Sequence, residues 1–386
     1  MLLWLSCRAG LTISPTGLPR SNAVADRLKA LAGEIDKAGR DAVGAALDRL
    51  IASRADRFAG GLETYRRHPY RRPAERWPVI WRRGSARLLD CGDRERSFTG
   101  ATVLIVPSLI NRHYILDLRP QRSFVRYLAC HGIRPLLFDW GEPGQAERGF
   151  CLADYIAGPL EAALVEATAH AKAPVAVCGY CMGGLLTLAL AMRRPTEVAK
   201  LVLMATPWDF HAERRDQAML LNFVTETLAR LPDDAPLPVE AIQTLFLALD
   251  PFLAERKFTC FAGFDPGSED AAAFVALEDW INDGVPLARR VALECAQSWY
   301  RDNDPLADRW RVSDRAVRPA EIELPALVVL PRRDRIVPPA SAEPLAQRLP
   351  RAHALRPPLG HIGMMTATAA PRLVWQPIAE WLHRAA

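Results

Sequence analysis

From Ala101 onward, short apolar runs alternate with longer stretches whose apolar positions recur at helical spacing. The runs Thr102 to Val106, Ile133 to Phe138, Val175 to Gly179, Leu201 to Ala205, Ala326 to Leu330 and His353 to Arg356 have the length of buried strands. Leu152 to Ala171, Met182 to Arg193, Ala340 to Leu349 and Leu373 to Leu382 carry the helical spacing. Parallel strands need a crossover, usually helical, so this alternation predicts an α/β fold with a mostly parallel sheet and helices on both faces. Ahead of it, Val79-Ile80-Trp81 and Ala86-Arg87-Leu88-Leu89 flank Gly84 and predict a hairpin. Between Trp208 and Pro319 the rhythm breaks into Pro-rich turns and helical pieces, which predicts an inserted cap. At the other end, Leu28, Leu31, Ile35, Val43, Leu47, Leu50 and Ile51 predict helix between Ser21 and Tyr65, followed by a basic, turn-rich stretch to Pro73. The expected organisation is an N-terminal extension over 1–73, a core over 74–207 and 320–386, and a cap over 208–319.

A chain of 386 residues exceeds the usual single domain, which suits one core carrying an insertion. With 50% hydrophobic and 24% charged residues it has the composition of a globular enzyme, neither disordered nor membrane-embedded. The formal charge of +5 is spread over scattered arginines, and no basic block interleaved with aromatics marks a nucleic-acid surface. Eight unevenly spaced cysteines point to a reduced cytoplasm rather than a secreted disulfide framework. The apolar opening Met1 to Cys7 lacks a basic start and is cut short by Arg8, so no secretion signal is expected. No run approaches the ~20 apolar residues of a transmembrane helix.

The segment Val175-Ala176-Val177-Cys178-Gly179-Tyr180-Cys181-Met182-Gly183-Gly184 is an apolar run followed by Gly-x-Cys-x-Gly-Gly and a helical stretch. This is the pattern of a nucleophile elbow with sulfur as nucleophile, the α/β-hydrolase device in which small residues let backbone pass close to a strained corner. Cys181 would stand at a helix N-terminus, whose partial positive charge favours an anion, and the Met182 N–H would face an oxyanion. The elbow requires an acid after a later strand and a histidine after the last one. Asp334 follows the run ending at Leu330, and His361 follows Arg356. His113, in the loop after the third strand, is the rival histidine; His68 and His211 suit structural or surface roles. That same loop, Val106 to Asp117, supplies the second oxyanion donor in this fold. Leu109 or Ile110 is the candidate, and Ile110 is carried forward beside Met182. Asn111 and Tyr114 either line the acyl pocket or hold the loop. Cys178 and Cys181 also form a Cys-x-x-Cys, but Cys178 falls inside the strand, and no second Cys or His pair at zinc spacing completes a metal site.

Several blocks resemble the catalytic subunit of class III polyhydroxyalkanoate synthases: Pro107 to Asp117, Phe138-Asp139-Trp140-Gly141 with Pro143, Asp154-Tyr155-Ile156 and the Cys181 box. Thr206 to His211, Trp280-Ile281-Asn282-Asp283-Gly284, Asp334 to Pro338 and Gly360-His361-Ile362 complete the likeness, which covers roughly residues 65 to 385. The resemblance implies that Cys181 takes a 3-hydroxyacyl group from its coenzyme A ester and passes it to a growing polyester. His361 would be the base and Asp334 its orienting partner. Coenzyme A enters as substrate, with no cofactor. The implied partners are a second synthase subunit or another copy of the chain, and a polyester granule surface. Two other functions remain open: a cysteine-dependent esterase, thioesterase or depolymerase with the same three residues, and a retired hydrolase fold acting as a granule-associated binding protein. The order Cys181, Asp334, His361 argues against the last. For the transferase, Cys181 is expected to be buried beneath residues 208–319.

Overall fold

A computed structural model describes residues 22–74, 76–92, 100–213 and 217–384. Eight strands form the main sheet of these described residues. In chain order they are β1 Val79–Arg83, β2 Ala86–Asp90, β3 Thr102–Val106, β4 Arg134–Asp139, β5 Val175–Tyr180, β6 Val198–Met204, β7 Ala326–Val329 and β8 Ala352–Leu355. Across the sheet the order is β1-β2-β4-β3-β5-β6-β7-β8. The hairpin around Gly84 supplies the antiparallel β1 and β2, and from β4 onward every pairing is parallel. β5 lies between β3 and β6 with all six residues buried, which is why its sequence is apolar without alternation. Parallel strands end together, so the loops after β3, β5, β7 and β8 gather along one edge, where ligands of open α/β sheets bind.

Differences from the expected elements have local causes. β6 starts at Val198 rather than Leu201, because Lys200 interrupts the apolar run; its Nζ reaches the carbonyls of Trp381 and Leu382 at 3.5 and 3.4 Å. The helix expected over Leu152 to Ala171 widens into a π turn at Ile156–Leu160, where Pro159 lacks a backbone donor. A short helix at Phe124–Cys130, capped by Ser123 Oγ accepting from Arg126 N at 3.1 Å, was not expected from periodicity; it is too brief to show any. The N-terminal helix is two, Asn22–Ala38 and Arg40–Arg67, separated at Gly39, whose φ of 86° side chains rarely adopt. The opening Met1 to Arg8 lies outside the described residues.

Between β6 and β7 the chain runs through helices Gln217–Ala229, Val239–Leu249, Leu253–Phe261, Glu269–Asn282 and Arg289–Glu294. By its contacts the chain falls into two units. One unit joins the described part of Met1–Tyr70 to Pro251–Val275; the other holds Arg71–Asp250 and Ala276–Ala386. Within the first, Phe258 meets Phe58 and Tyr65 edge-on at 6.2 and 5.7 Å, and Phe261 stacks on Phe274 at 4.1 Å. His68 there accepts from Tyr70 N at Nδ1, so its Nε2 donates to the Pro266 carbonyl at 2.9 Å. The second unit contains the sheet and its core. No helix of the described residues is long and apolar enough to cross a membrane.

Candidate active site

β5 delivers the chain into the elbow. Cys181 has φ 57° and ψ −126°, a strained backbone for a residue with a Cβ, and caps the helix Met182–Arg193. Two bonds hold it there: Cys181 N donates to Met204 O at 2.8 Å, and Gly184 N to Cys181 O at 2.9 Å. The following glycines are required by space. A Cβ on Gly183 would lie 2.2 Å from Val106 O, and one on Gly184 would lie 1.8 Å from Thr206 Oγ1.

The acid and the histidine come from the loops after β7 and β8. Asp334 Oδ1 accepts from Ile336 N at 2.9 Å and Val337 N at 2.8 Å, which turns Oδ2 toward His361 Nδ1 at 2.7 Å. The two loops are joined by Arg332 N to Pro357 O and Arg333 N to Leu359 O, both 2.9 Å. The His361 ring also hydrogen-bonds to the Cys181 side chain. Burial by itself lowers the His361 pKa; the negative charges of Cys181 and Asp334 and its bonds to both outweigh burial and push it up to about 10. Cys181, Asp334 and His361 are thus brought together at the sheet edge. The expected burial of Cys181 beneath residues 208–319 does not hold, for the residue is partly accessible.

His113 does not compete. Its Nδ1 lies 3.0 Å from Asp139 Oδ1. Asp139 also accepts from Arg87 Nε at 2.9 Å and Gly141 N at 3.0 Å. Burial opposes ionisation of Asp139, but His113, Gly141 and Arg87 together hold it well below the usual carboxylate range. Cys178 is buried in β5, and burial raises its thiol far above its ordinary value, which suits neither redox nor metal chemistry. Among the described residues no group of three His, Cys, Asp or Glu side chains is arranged to hold a metal ion.

The loop after β3 is stitched to the chain around Asp283. Val285 N donates to Ile110 O at 3.1 Å, Trp280 Nε1 to Arg112 O at 2.9 Å, and Asn111 pairs with Gly284 as an antiparallel bridge. Tyr114 Oη donates to Asp283 Oδ2 at 2.9 Å beneath the Arg72 guanidinium, and Arg112 binds Asp283 and Glu142. Tyr114 therefore holds the loop. The Ile110 N–H donates to Ser108 Oγ at 3.2 Å, so it is engaged in this structure. Among the described residues neither the Leu109 nor the Met182 N–H has a backbone acceptor. Sequence reasoning missed Asp283 as the anchor of this loop, and Tyr180, whose hydroxyl donates to His361 O at 3.2 Å. Nothing in the hydrophobic pattern marks either.

An α/β hydrolase fold family model matches residues 101–368. The chain is 30% identical over 290 residues to the poly(3-hydroxyalkanoate) polymerase subunit PhaC of Allochromatium vinosum, covering 73% of this chain and 80% of that one. The chain belongs to the poly(3-hydroxyalkanoate) polymerase subunit family. A second relative in this polymerase family, the PhaC subunit of Haloferax mediterranei, is 26% identical over 316 residues, 78% of this chain; the match spans 63% of that relative, less than two thirds of its length. A hydrolase from Pseudomonas aeruginosa shares the fold with a TM-score of 0.51 at 17% identity, covering 81% of this chain and 100% of that one. Cys181, Asp334 and His361 all fall within the matched residues 101–368.

Proposed function

We propose that the chain is an acyltransferase that polymerises 3-hydroxyacyl groups from coenzyme A thioesters into polyhydroxyalkanoate through an acyl-Cys181 intermediate. The observation that carries this reading is the meeting of a sulfur nucleophile, at the elbow, with His361 and Asp334, in a chain of the polymerase subunit family. With Nδ1 bound to Asp334, the Nε2 of His361 is the nitrogen left to exchange a proton with sulfur. The Cys181 thiolate attacks the thioester carbonyl, the bond from carbonyl carbon to coenzyme A sulfur breaks, and His361 gives its proton to the departing sulfur. The Met182 and Leu109 N–H groups face the oxyanion.

Acylation then changes the histidine. The negative charge on Cys181 is among the causes that raise the His361 pKa, and it disappears once sulfur carries an acyl group, so the ring, which has just given its proton to the leaving sulfur, regains one less readily although Asp334 still favours it. Neutral His361 is now a base. It takes the hydroxyl proton of a second 3-hydroxyacyl unit, whose oxygen attacks the acyl group. The carbon–sulfur bond of the acyl enzyme breaks, and the Cys181 thiolate and protonated His361 are restored. Asp334 keeps Nδ1 protonated throughout. The reduced cytoplasm, a second subunit or a second copy, and the polymer surface are the setting this chemistry calls for.

The partial accessibility of Cys181 favours a second reading, a thioesterase in which water takes the acyl group. Incubation of the purified protein with 3-hydroxybutyryl coenzyme A separates the two. Polymer accompanying release of coenzyme A thiol is expected. Stoichiometric free 3-hydroxybutyrate without polymer moves the assignment to the thioesterase, and no thiol release from a folded protein with intact Cys181 sinks both.

A further inference from the structure

Tyr180 stands between Gly179 and Cys181, ends β5, and is only 3% exposed. Its Oη donates to the backbone carbonyl of His361 at 3.2 Å, and its ring lies beside the imidazole with centroids 5.1 Å apart and planes at 35°. The His361 loop is tied to the loop after β7 by the Asp334 carboxylate and by the two backbone bonds from Arg332 and Arg333. The Tyr180 hydroxyl ties it to the elbow itself. Because Tyr180 is covalently joined to Cys181, any slip of the His361 backbone away from this hydroxyl also changes the separation of sulfur and imidazole. We propose that Tyr180 is a positioning residue, whose hydroxyl fixes the His361 backbone against the elbow and so sets the path of the proton between Cys181 and His361. Burial first, then the charges of Cys181 and Asp334, raise the phenol well above its ordinary pKa, so it stays a neutral donor at any working pH. Removing the hydroxyl would leave a buried carbonyl without its partner and let the loop seek another one.

The proposal deepens the acyl-transfer reading of the same site, but one of its measurements does not depend on that reading. Tyr180→Phe keeps the ring and removes only the hydroxyl. Alkylation of Cys181 by iodoacetamide, followed on its peptide by mass spectrometry, is expected to slow about fivefold at pH 7, the factor equivalent to one buried hydrogen bond of ~1 kcal/mol. At pH 10.5, where a thiol ionises without an imidazolium, the rate should stay within about twofold of the parent. With 3-hydroxybutyryl coenzyme A, kcat should fall by a similar factor while KM changes by less than about twofold. Incorporation of 4-aminophenylalanine at position 180 restores ring and donor and should recover the pH 7 rate. An unchanged pH 7 alkylation rate in Tyr180→Phe overturns the proposal, as does a loss equal at both pH values that the amino analogue does not recover. If alkylation responds as expected but no acyl transfer occurs in the parent protein, the functional reading fails and the role of Tyr180 stands.

Discussion

Among the described residues, the buried histidine–carboxylate couples His113–Asp139 and His361–Asp334 differ in what else each touches. His113 and His361 are both 7% exposed, and their carboxylates Asp139 and Asp334 are 4% and 5% exposed. Both rings present Nδ1 to the acid, at 3.0 and 2.7 Å. Burial and pairing alone therefore do not separate a site from a brace. At the first couple the carboxylate is shared with Arg87 and the Gly141 N–H, so its charge is spent within the fold and holds the loop after β3. At the second, Oδ1 is occupied by two backbone donors, Oδ2 is left for the histidine alone, and that ring meets the sulfur of a strained elbow. What separates the two couples is a third partner, the sulfur of Cys181.

The largest expected effect breaks the comparison at its centre. Cys181→Ala or His361→Ala should lower acyl transfer by roughly 10³-fold or more, as removal of a nucleophile or its base does. His113→Ala should leave kcat within about tenfold of the parent. If a folded His113→Ala protein loses as much activity as His361→Ala, the assignment of roles is wrong.

Next come the acids. Asp334→Asn keeps the shape but no longer holds the Nδ1 proton by charge, and kcat should drop on the order of 10²- to 10⁴-fold. Asp139→Asn should act on stability instead, because it leaves Arg87 and His113 without their shared anion; about 3 kcal/mol is the usual cost of breaking a buried pair. Urea unfolding set beside initial rates measures both variants. A rate loss for Asp139→Asn as large as that for Asp334→Asn would erase the distinction.

The pH dependence of stability sharpens the same contrast with smaller effects. The His361 pKa is raised from 6.5 to about 10, so the folded protein binds this proton more tightly than the unfolded chain does. Its contribution to stability is full below pH 6.5 and is lost as pH rises through about 10. The urea midpoint should fall across that window, and less steeply in Cys181→Ala, where one charge that raises the pKa is gone. Asp139 has the opposite sign: its pKa lies below 3.8, so its contribution is present above pH 3.8 and lost on acidification. A midpoint of Cys181→Ala that falls as steeply as the parent's would show that sulfur does not set the His361 proton.

Much of the site was legible in the sequence because the elbow constrains composition. The Val106 carbonyl and the Thr206 side chain stand within about 2 Å of where a Cβ would sit on Gly183 and Gly184, and the fold then dictates that the acid and histidine follow later strands. The strands of the sheet were legible for a similar reason, since a strand buried on both faces has no alternative to an apolar run. Where a polar residue was drawn inward, as with Lys200, the reading started late.

Sequence by itself determined the order of the sheet strands along the chain, the sulfur at the turn, and the candidates Cys181, Asp334 and His361 that the structure gathers at one sheet edge. These follow from local sterics, periodicity and chain order, each of which is written in consecutive residues. Tertiary structure alone decided which of two equally buried histidines faces the sulfur, that the Ile110 N–H is taken by Ser108, that Asp283 anchors the loop after β3, and that Tyr180 holds the carbonyl of His361. Each of those outcomes depends on a hydrogen bond between residues brought together from separate segments or turned by a loop, and hydrogen-bond geometry changes within a fraction of an ångström while the hydrophobic pattern that selects the fold does not.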